Sequence, residues 1–358
     1  MNTFVKFLIK RLTAIPVTLF IITLVLYGVV MLMPLAARVD LYMPNTRSNV
    51  PGAEERTREK IIERHHLLES YPIQYYYWVR SLFDGTWGYS PSLDKDVLPE
   101  LIRRTPVTFE LILYALLIQI PLGLAAGVWA ARKKDRPADY ATRFTAFLAT
   151  SIPEFILAIV LLAIFYVSLR WFPPERLSIT NHLFIQSETY KVYTGFLTID
   201  GLLNHRADIT LDALRHLVLP VFTLSFAHWA ILARITRIQV LDEMKKDYIT
   251  AAYARGLGEK TVFWRHAFRN ALAPVLTNSA VSAATLVTSV YIVEKIFNLK
   301  GVSDLVTKYG PMVPDAAAVL GFAVYSTLIV LSLMLMLDIL QAVFIPQITE
   351  ETYKNESI

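Results

Sequence analysis

The sequence predicts an all-α membrane protein with six transmembrane helices. Apolar residues make up 54% of the 358 residues and charged residues only 18%, where soluble domains average about 25% charged. Mean hydropathy is +0.43. Six windows are mostly apolar: 12–34, 106–131, 144–171, 217–235, 275–293 and 316–345. A hydrocarbon core about 30 Å thick needs roughly 20 such residues per helix. None of the windows alternates polar and apolar positions, which argues against a β-barrel.

The first window follows Lys6, Lys10 and Arg11. Its apolar part exceeds the roughly 7–15 residues of a cleavable signal, and further spans follow. It therefore reads as a retained first helix. The region between the first two windows contains two helical stretches. One, at 54–70, spaces charged residues around Ile61, Ile62, Leu67 and Leu68. The other, at 75–83, is aromatic, and Trp78 with its neighbouring tyrosines suits the headgroup layer. In the second window Gly123 and Gly127 are spaced to let another helix approach closely, with packing inside this chain the favoured reading. The third window is followed by a segment at 172–216 that reads as a small cap over a pore.

Basic residues set the orientation. Lys6, Lys10 and Arg11 precede the first span, and Arg132, Lys133, Lys134 and Arg136 follow the second. Arg234, Arg237, Lys245, Lys246, Arg255, Lys260, Arg265 and Arg269 follow the fourth. With six spans these segments share one side, so both termini are expected in the cytoplasm. The net charge of +5 is then a membrane asymmetry and not a sign of nucleic acid.

The chain has no cysteine, which excludes disulfides, thiolate metal sites and cysteine nucleophiles. His65 and His66 are adjacent, a poor spacing for metal ligands on one helix face. No Gly-x-x-x-x-Gly-Lys-Ser/Thr loop, Gly-x-Ser-x-Gly or His-Glu-x-x-His is present. The chain is therefore not expected to hydrolyse ATP, to be an enzyme or to hold a metal.

The segment between the fourth and fifth spans is polar and basic and cannot cross a bilayer. Residues 240–255 read as one helix, with Asp247 a possible internal cap. Gly256-Leu257-Gly258 breaks it, because glycine readily ends a helix in the left-handed conformation. Residues 259–272 read as a second helix ended near Pro274. Ala251, Ala252 and Ala254 leave a small-residue surface that another protein could approach closely.

This segment resembles the cytoplasmic loop that type I ABC importer permeases insert into their ATPase subunits. Thr250-Ala251-Ala252, three residues, then Gly256 matches the family's glutamate-alanine-alanine and glycine, with Thr250 in place of the glutamate. Ala254-Arg255-Gly256-Leu257 and the run from His266 to Pro274, with Asn270 inside it, resemble the dipeptide, oligopeptide and nickel branch. So do Leu82, Gly85, Gly88 and Ser90, Pro106, Thr108, Glu110 and Leu111, the Ile120-Pro121-Leu122-Gly123 run, Ser151 with Pro153, Glu294, Phe297, Gly301 and Asp338. Lys295 and Ile345-Pro346-Gln347 depart from the pattern and bear on subfamily and substrate more than on class.

The resemblance implies a permease subunit moving di- or oligopeptides, with oligosaccharides or nickel as alternative cargo. It implies a second related permease, two ATPases that use ATP and magnesium, and an extracytoplasmic solute-binding protein. No cofactor is expected on this chain. Asp247, Tyr248, Thr250, Ala251, Ala252, Arg255, Gly256, Leu257, His266, Asn270 and Pro274 are its expected coupling residues, within a loop at 237–274. The expected organisation is a first helix with an extracytoplasmic region at 1–105, a five-helix core at 106–345 and a tail at 346–358. A secondary transporter would need midplane ion sites and often inverted repeats, neither of which is evident.

In the fifth span Asn278, Ser282, Thr285 and Ser289 share one helical face. Such a stripe either lines a water-filled path or bonds helices together; the resemblance places this helix beside the route. Glu110 and Asp338 lie away from the middle of their spans, where interfacial or packing roles outweigh proton relay.

The topology has a direct check. In sealed cells, a membrane-impermeant thiol reagent is expected to label Glu59→Cys and to leave Lys260→Cys unlabelled; strong labelling at 260 would overturn the six-span arrangement.

Overall fold

Hydrocarbon offers no partner for backbone N–H and C=O groups, so a spanning chain must satisfy them within itself. The computed structural model, which describes residues 3–40, 42–43, 52–90, 93–307 and 315–344, is accordingly almost all helix. The chain opens with α1 (Thr3–Met31), α2 (Leu35–Asp40), α3 (Ala53–Arg64) and α4 (Tyr71–Phe83). A two-residue antiparallel ladder of β1 (Tyr89–Ser90) and β2 (Lys95–Asp96) leads into α5 (Val97–Arg132). Next come α6 (Pro137–Ser151), α7 (Glu154–Leu161) and a π-helical stretch at Leu162–Ser168. The short α8 (Ile179–Phe184) and α9 (Leu197–Leu203) precede the long α10 (Ala207–Glu243). After α11 (Asp247–Ala254) and α12 (Glu259–Thr261), a second π-helical stretch at Val262–Phe268 runs into α13 (Arg269–Ile296). The described chain closes with α14 (Asp304–Thr307) and α15 (Ala316–Phe344).

Helices α1, α5, α10 and α15 each hold an apolar stretch long enough to cross a membrane, and α6–α7 with its π-helical extension is a sharply bent apolar pair, a broken span or a re-entrant loop. The fifth expected span falls in the 28-residue α13, which at 1.5 Å per residue reaches about 42 Å. The predicted tail at 346–358 and Ile345-Pro346-Gln347 lie outside the described residues.

The third pass corrects the sequence reading. The single span expected at 144–171 is a pair of helices meeting at 97°. The cause is Pro153. A proline disfavours helical geometry in the residue before it, and Ile152 sits in the extended region at φ −100°, ψ 116°.

The chain forms two compact units: Met1–Leu8 with Val107–Leu299 and Leu333–Ile358, and Ile9–Pro106 with Lys300–Ser332.

In the second of these, α4 lays an aromatic face on α1. Tyr27 and Trp78 stack with ring centres 4.9 Å apart. The Tyr71 hydroxyl donates to the Leu24 carbonyl at 2.5 Å, and the Tyr75 and Thr23 hydroxyls meet at 2.9 Å. Positions 71, 75 and 78 recur every three or four residues, hence on one side of the helix. Trp78 is therefore buried in the chain and does not face the headgroup layer, as the sequence suggested. At the start of α5, the buried Glu100 accepts from Arg103 and Arg104, and Arg104 also pairs with Asp304.

In the first unit α10 is central and packs on α6, α7, α9 and α13. Gly123 and Gly127 let α5 approach it. A Cβ on Gly127 would stand 2.5 Å from both the Ala233 carbonyl oxygen and the Thr236 Cβ; one on Gly123 would stand 2.8 Å from Leu232. The close approach is thus internal to this chain. Glu110 is a buried latch: it accepts from the Thr198 N–H at 2.9 Å, the Thr198 hydroxyl at 2.7 Å and the Arg176 guanidinium at 2.6 Å. These bonds hold α5 to the segment carrying α8 and α9, whose own small core is Leu177, Tyr190, Leu197, Ile209 and Ala213. Glu110 thus serves packing. Asp338 is also buried.

Overpacking a tight helix crossing costs about 1–3 kcal/mol. Gly127→Val is therefore expected to lower the thermal midpoint of the purified protein clearly. Gly258→Ala, where an added Cβ meets no atom within 4 Å, is expected to leave it unchanged. Scanning fluorimetry in detergent checks both.

Candidate functional site

The loop between the fourth and fifth passes is built from the ends of the passes themselves. Helix α10 does not stop at residue 235, where the apolar window ends: it runs unbroken to Glu243, and a three-residue turn precedes α11. The single helix expected at 240–255 is therefore two. Asp247 is the first residue of α11, whose cap position is Lys246, and no side-chain capping bond forms there. The second expected helix, at 259–272, does not end near Pro274 either. It passes through the π-helical stretch and continues as α13, with Pro274 inside. A membrane helix tolerates an internal proline where its surroundings satisfy the freed carbonyl.

One carboxylate ties these pieces together. Glu243, at the last turn of α10 and almost fully buried, accepts from Lys246 Nζ at 2.6 Å and from the Tyr248 hydroxyl on α11. Asn270 Nδ2, at the start of α13, donates to the Tyr248 oxygen at 3.1 Å. Burial, and then the bond to Glu243, raises the Tyr248 pKa above its ordinary value, so the hydroxyl keeps its proton and goes on donating. Beneath this chain of bonds, Ile249, Ala252, Val262 and Ala267 form a small apolar core with Met244 and Leu257. A second cluster, with Val240, Phe263 and Ala271, joins the loop to Val128 and Ala131 on α5.

The end of α11 is a Schellman motif. The Leu257 N–H donates to the Ala252 carbonyl at 3.3 Å and the Gly256 N–H to the Tyr253 carbonyl at 2.9 Å. Gly256 takes φ +82°, a conformation that costs residues with a Cβ roughly 1–2 kcal/mol. A Cβ at Gly256 would meet open space, so the glycine is needed for its backbone and not for room.

The small-residue surface expected from Ala251, Ala252 and Ala254 is split. Ala251 and Ala254 are exposed, as are Asp247, Tyr248, Thr250, Tyr253, Arg255 and Gly256. Ala252 is 5% exposed and faces the loop's own core, because Ile249 and Ala252 lie three apart on the inner side of α11. Leu257 and His266 are half-buried, Asn270 is exposed and Pro274 is half-buried. Sequence reasoning passed over Glu243 and counted Lys246 only as positive charge. The one available signal was an acidic residue ending an apolar helix just before a basic turn.

A second ion pair stiffens the same end of the bundle. Arg237 on α10 donates to the fully buried Asp139 of α6 through Nε and through Nη2 at 2.7 Å. Removing one member of a buried pair typically costs about 3–5 kcal/mol.

On α13, Leu286, Val287, Val290 and Val293 are fully buried. Thr285 is exposed and Ser289 half-exposed, beside the exposed Thr288 and Ile292. The side chains of Asn278 and Ser282 lie outside the described residues. Among the described residues no cluster of His, Asp and Glu suits a metal. His65 and His66 instead stack on Tyr42 and Tyr77, at 3.9 and 3.8 Å.

Several long apolar helices, with a helical turn between α10 and α13, define a polytopic membrane protein. The chain belongs to the family of binding-protein-dependent transport system inner membrane components, whose signature spans residues 123–350. It is 32% identical over 298 residues to the di/tripeptide transport system permease protein DppB of Pseudomonas aeruginosa, covering 83% of this chain and 85% of that one. To the oligopeptide transport system permease protein AppB of Bacillus subtilis it is 30% identical over 306 residues, 85% of this chain and 89% of the relative. The dipeptide transport system permease protein DppB of Bacillus subtilis matches at 27% over 346 residues, 96% of this chain and 97% of that protein.

The two sides of α13 are expected to differ in reactivity. Thr285→Cys should react with a small water-soluble thiol reagent at least tenfold faster than Val287→Cys in the purified protein. Equal inertness at 285, 289 and 287 would make the polar stripe packing alone.

Proposed function

We propose that this chain is the membrane-embedded half of an ATP-binding-cassette importer for di- or oligopeptides. It pairs with a second, homologous permease, docks two cytoplasmic ATPases that use ATP and magnesium, and receives cargo from an extracytoplasmic solute-binding protein. Both termini lie in the cytoplasm. The observation that carries the reading is the α10–α11–α13 loop: a rigid turn whose exposed tip, Ala251, Ala254, Arg255 and Gly256, lies between two long passes. What supports peptide cargo is the relatives, which are di/tripeptide, dipeptide and oligopeptide permeases.

The loop's construction suits a lever. ATP draws the two ATPases together, and the α11 tip moves with the groove that holds it. Tyr248 carries that motion to α10 through Glu243 and to α13 through Asn270. The apolar core of Ile249, Ala252, Val262 and Ala267 keeps the turn from deforming instead. Since both helices bracket the loop without a flexible joint, displacement at the tip tilts them, and the Thr285–Ser289 face of α13 is exposed alternately to either side. ATP and cargo drive this only as far as they bind the two states differently.

Substitutions at the tip test the reading. Gly256→Val and Ala254→Trp are expected to reduce peptide uptake more than tenfold while the chain still inserts. The ATPases should then dissociate on purification or lose their stimulation by loaded binding protein. Gly256→Asn, which tolerates the left-handed conformation better, should keep part of the activity. Ala252→Trp would burst the loop's own core and is not a probe of docking. Normal assembly and normal stimulated hydrolysis in both Gly256→Val and Ala254→Trp would reduce the loop to a linker.

A further inference from the structure

The unit comprising Ile9–Pro106 and Lys300–Ser332 contains a cavity of about 450 Å³ between α3, α4 and the β1–β2 ladder, wholly within that unit. Its size falls among sites that hold small organic ligands, roughly 300–1,000 Å³. Arg64, His65, Tyr77, Arg80, Asp84 and Trp87 are on its walls.

The walls divide into fixed apolar groups and uncommitted charges. Trp87 is pinned by its indole N–H, which donates to the Leu82 carbonyl at 3.0 Å. Tyr77 is pinned by its stack on His66, and His65 by its stack on Tyr42. Burial, with the nearby Arg64 and His66 charges, lowers the His65 pKa to about 4, so this ring is neutral at physiological pH. The two guanidinium groups are not spent in the same way. Among the described residues no carboxylate lies within 4.0 Å of Arg64, and Arg80 has only a loose 3.8 Å contact with Asp84. Both arginines are exposed.

Rings that are already immobilised lose little entropy when a ligand settles on them. Arginine forks match carboxylates in a bidentate manner. An acidic group on the same wall disfavours a dianion such as a phosphate monoester and favours a ligand that also carries a cation. We propose that the cavity binds a short zwitterionic peptide. Arg64 and Arg80 hold its terminal carboxylate, Asp84 its terminal ammonium, and the face of Tyr77 and Trp87 a side chain. The site rests on the peptide-importer reading and adds to it a resting place for cargo on the extracytoplasmic side, outside the membrane passes.

The test uses the complete permease–ATPase complex in lipid nanodiscs without binding protein, with the radiolabelled dipeptide Ala-Phe as probe. Wild type is expected to bind it saturably. The Arg64→Gln/Arg80→Gln double variant should lose at least tenfold in affinity, and Arg80→Lys in place of Arg80→Gln should recover part of it. Ala-Phe amidated at its C-terminus should bind wild type at least tenfold more weakly. Glu59→Gln, outside the cavity, should match wild type; elution of each variant as an intact complex shows that it has folded. Equal affinity in the double variant overturns the site. So does the absence of saturable binding to a wild-type complex that still imports Ala-Phe from its loaded binding protein, and this result leaves the importer reading standing. If the double variant keeps its Ala-Phe affinity and loses only its capture of the binding protein, the cavity is a protein-docking site and the ligand assignment falls. Failure of wild type to import any peptide from a loaded binding protein overturns the importer reading instead.

Discussion

Every backbone polar group inside a bilayer has to find its partner within the protein, and an unmatched one costs several kcal/mol. That constraint makes the chain helical and restricts where its helices can be interrupted. The departures from regular α-helix in the passes are correspondingly specific. One is the Ile152-Pro153 corner, where α6 and α7 meet at 97°. The others are the π-helical stretches at Leu162–Ser168 and Val262–Phe268. Such stretches recur at functional sites, and the second of these joins the projecting loop to the fifth pass.

The same lack of solvent governs the polar side chains. Asp139 is fully buried and would be prohibitive alone, but Arg237 meets it with two donors. Glu110 is met by Arg176 and by two groups of Thr198, and Glu294 accepts from Thr108. Each pair joins elements distant in sequence, so each is also a tie between helices. Charge near these passes therefore serves architecture first. None of these paired groups needs to move a proton for the fold to make sense of it.

The loop between the fourth and fifth passes follows the opposite logic. Its tip is exposed, yet its helices are tied to one another. Glu243, Tyr248 and Asn270 connect three helices by two hydrogen bonds, and a core of small and branched residues fills the space beneath. Such a construction is what the proposed coupling role asks of it, since a flexible linker would dissipate a push.

Much of this was legible in one dimension. The spans at α1, α5, α10 and α15 follow from apolar length, which is a local property. So does the end of α11 at Gly256, because φ +82° is open to glycine at little cost. The likeness of the loop to a coupling element also rested on residues close together in sequence. The breaks were less legible. A hydropathy window sums over residues 144–171 and does not register that Pro153 turns the chain through slightly more than a right angle. Nor does it register that α10 and α13 continue past their apolar windows into the loop.

What the tertiary structure alone decided is which side of a helix faces inward and who meets whom. Ala252 and Ala254 are equivalent by composition, and only packing put one in the core and left the other exposed. Trp78 suited a headgroup layer until α1 supplied Tyr27 as a partner. Asp139 and Arg237 are separated by 98 positions, and no local pattern links them. Length, charge asymmetry and backbone preference are written along the chain and were determined by the sequence itself. Pairing across the bundle depends on the simultaneous placement of several helices, and only their packing decides it.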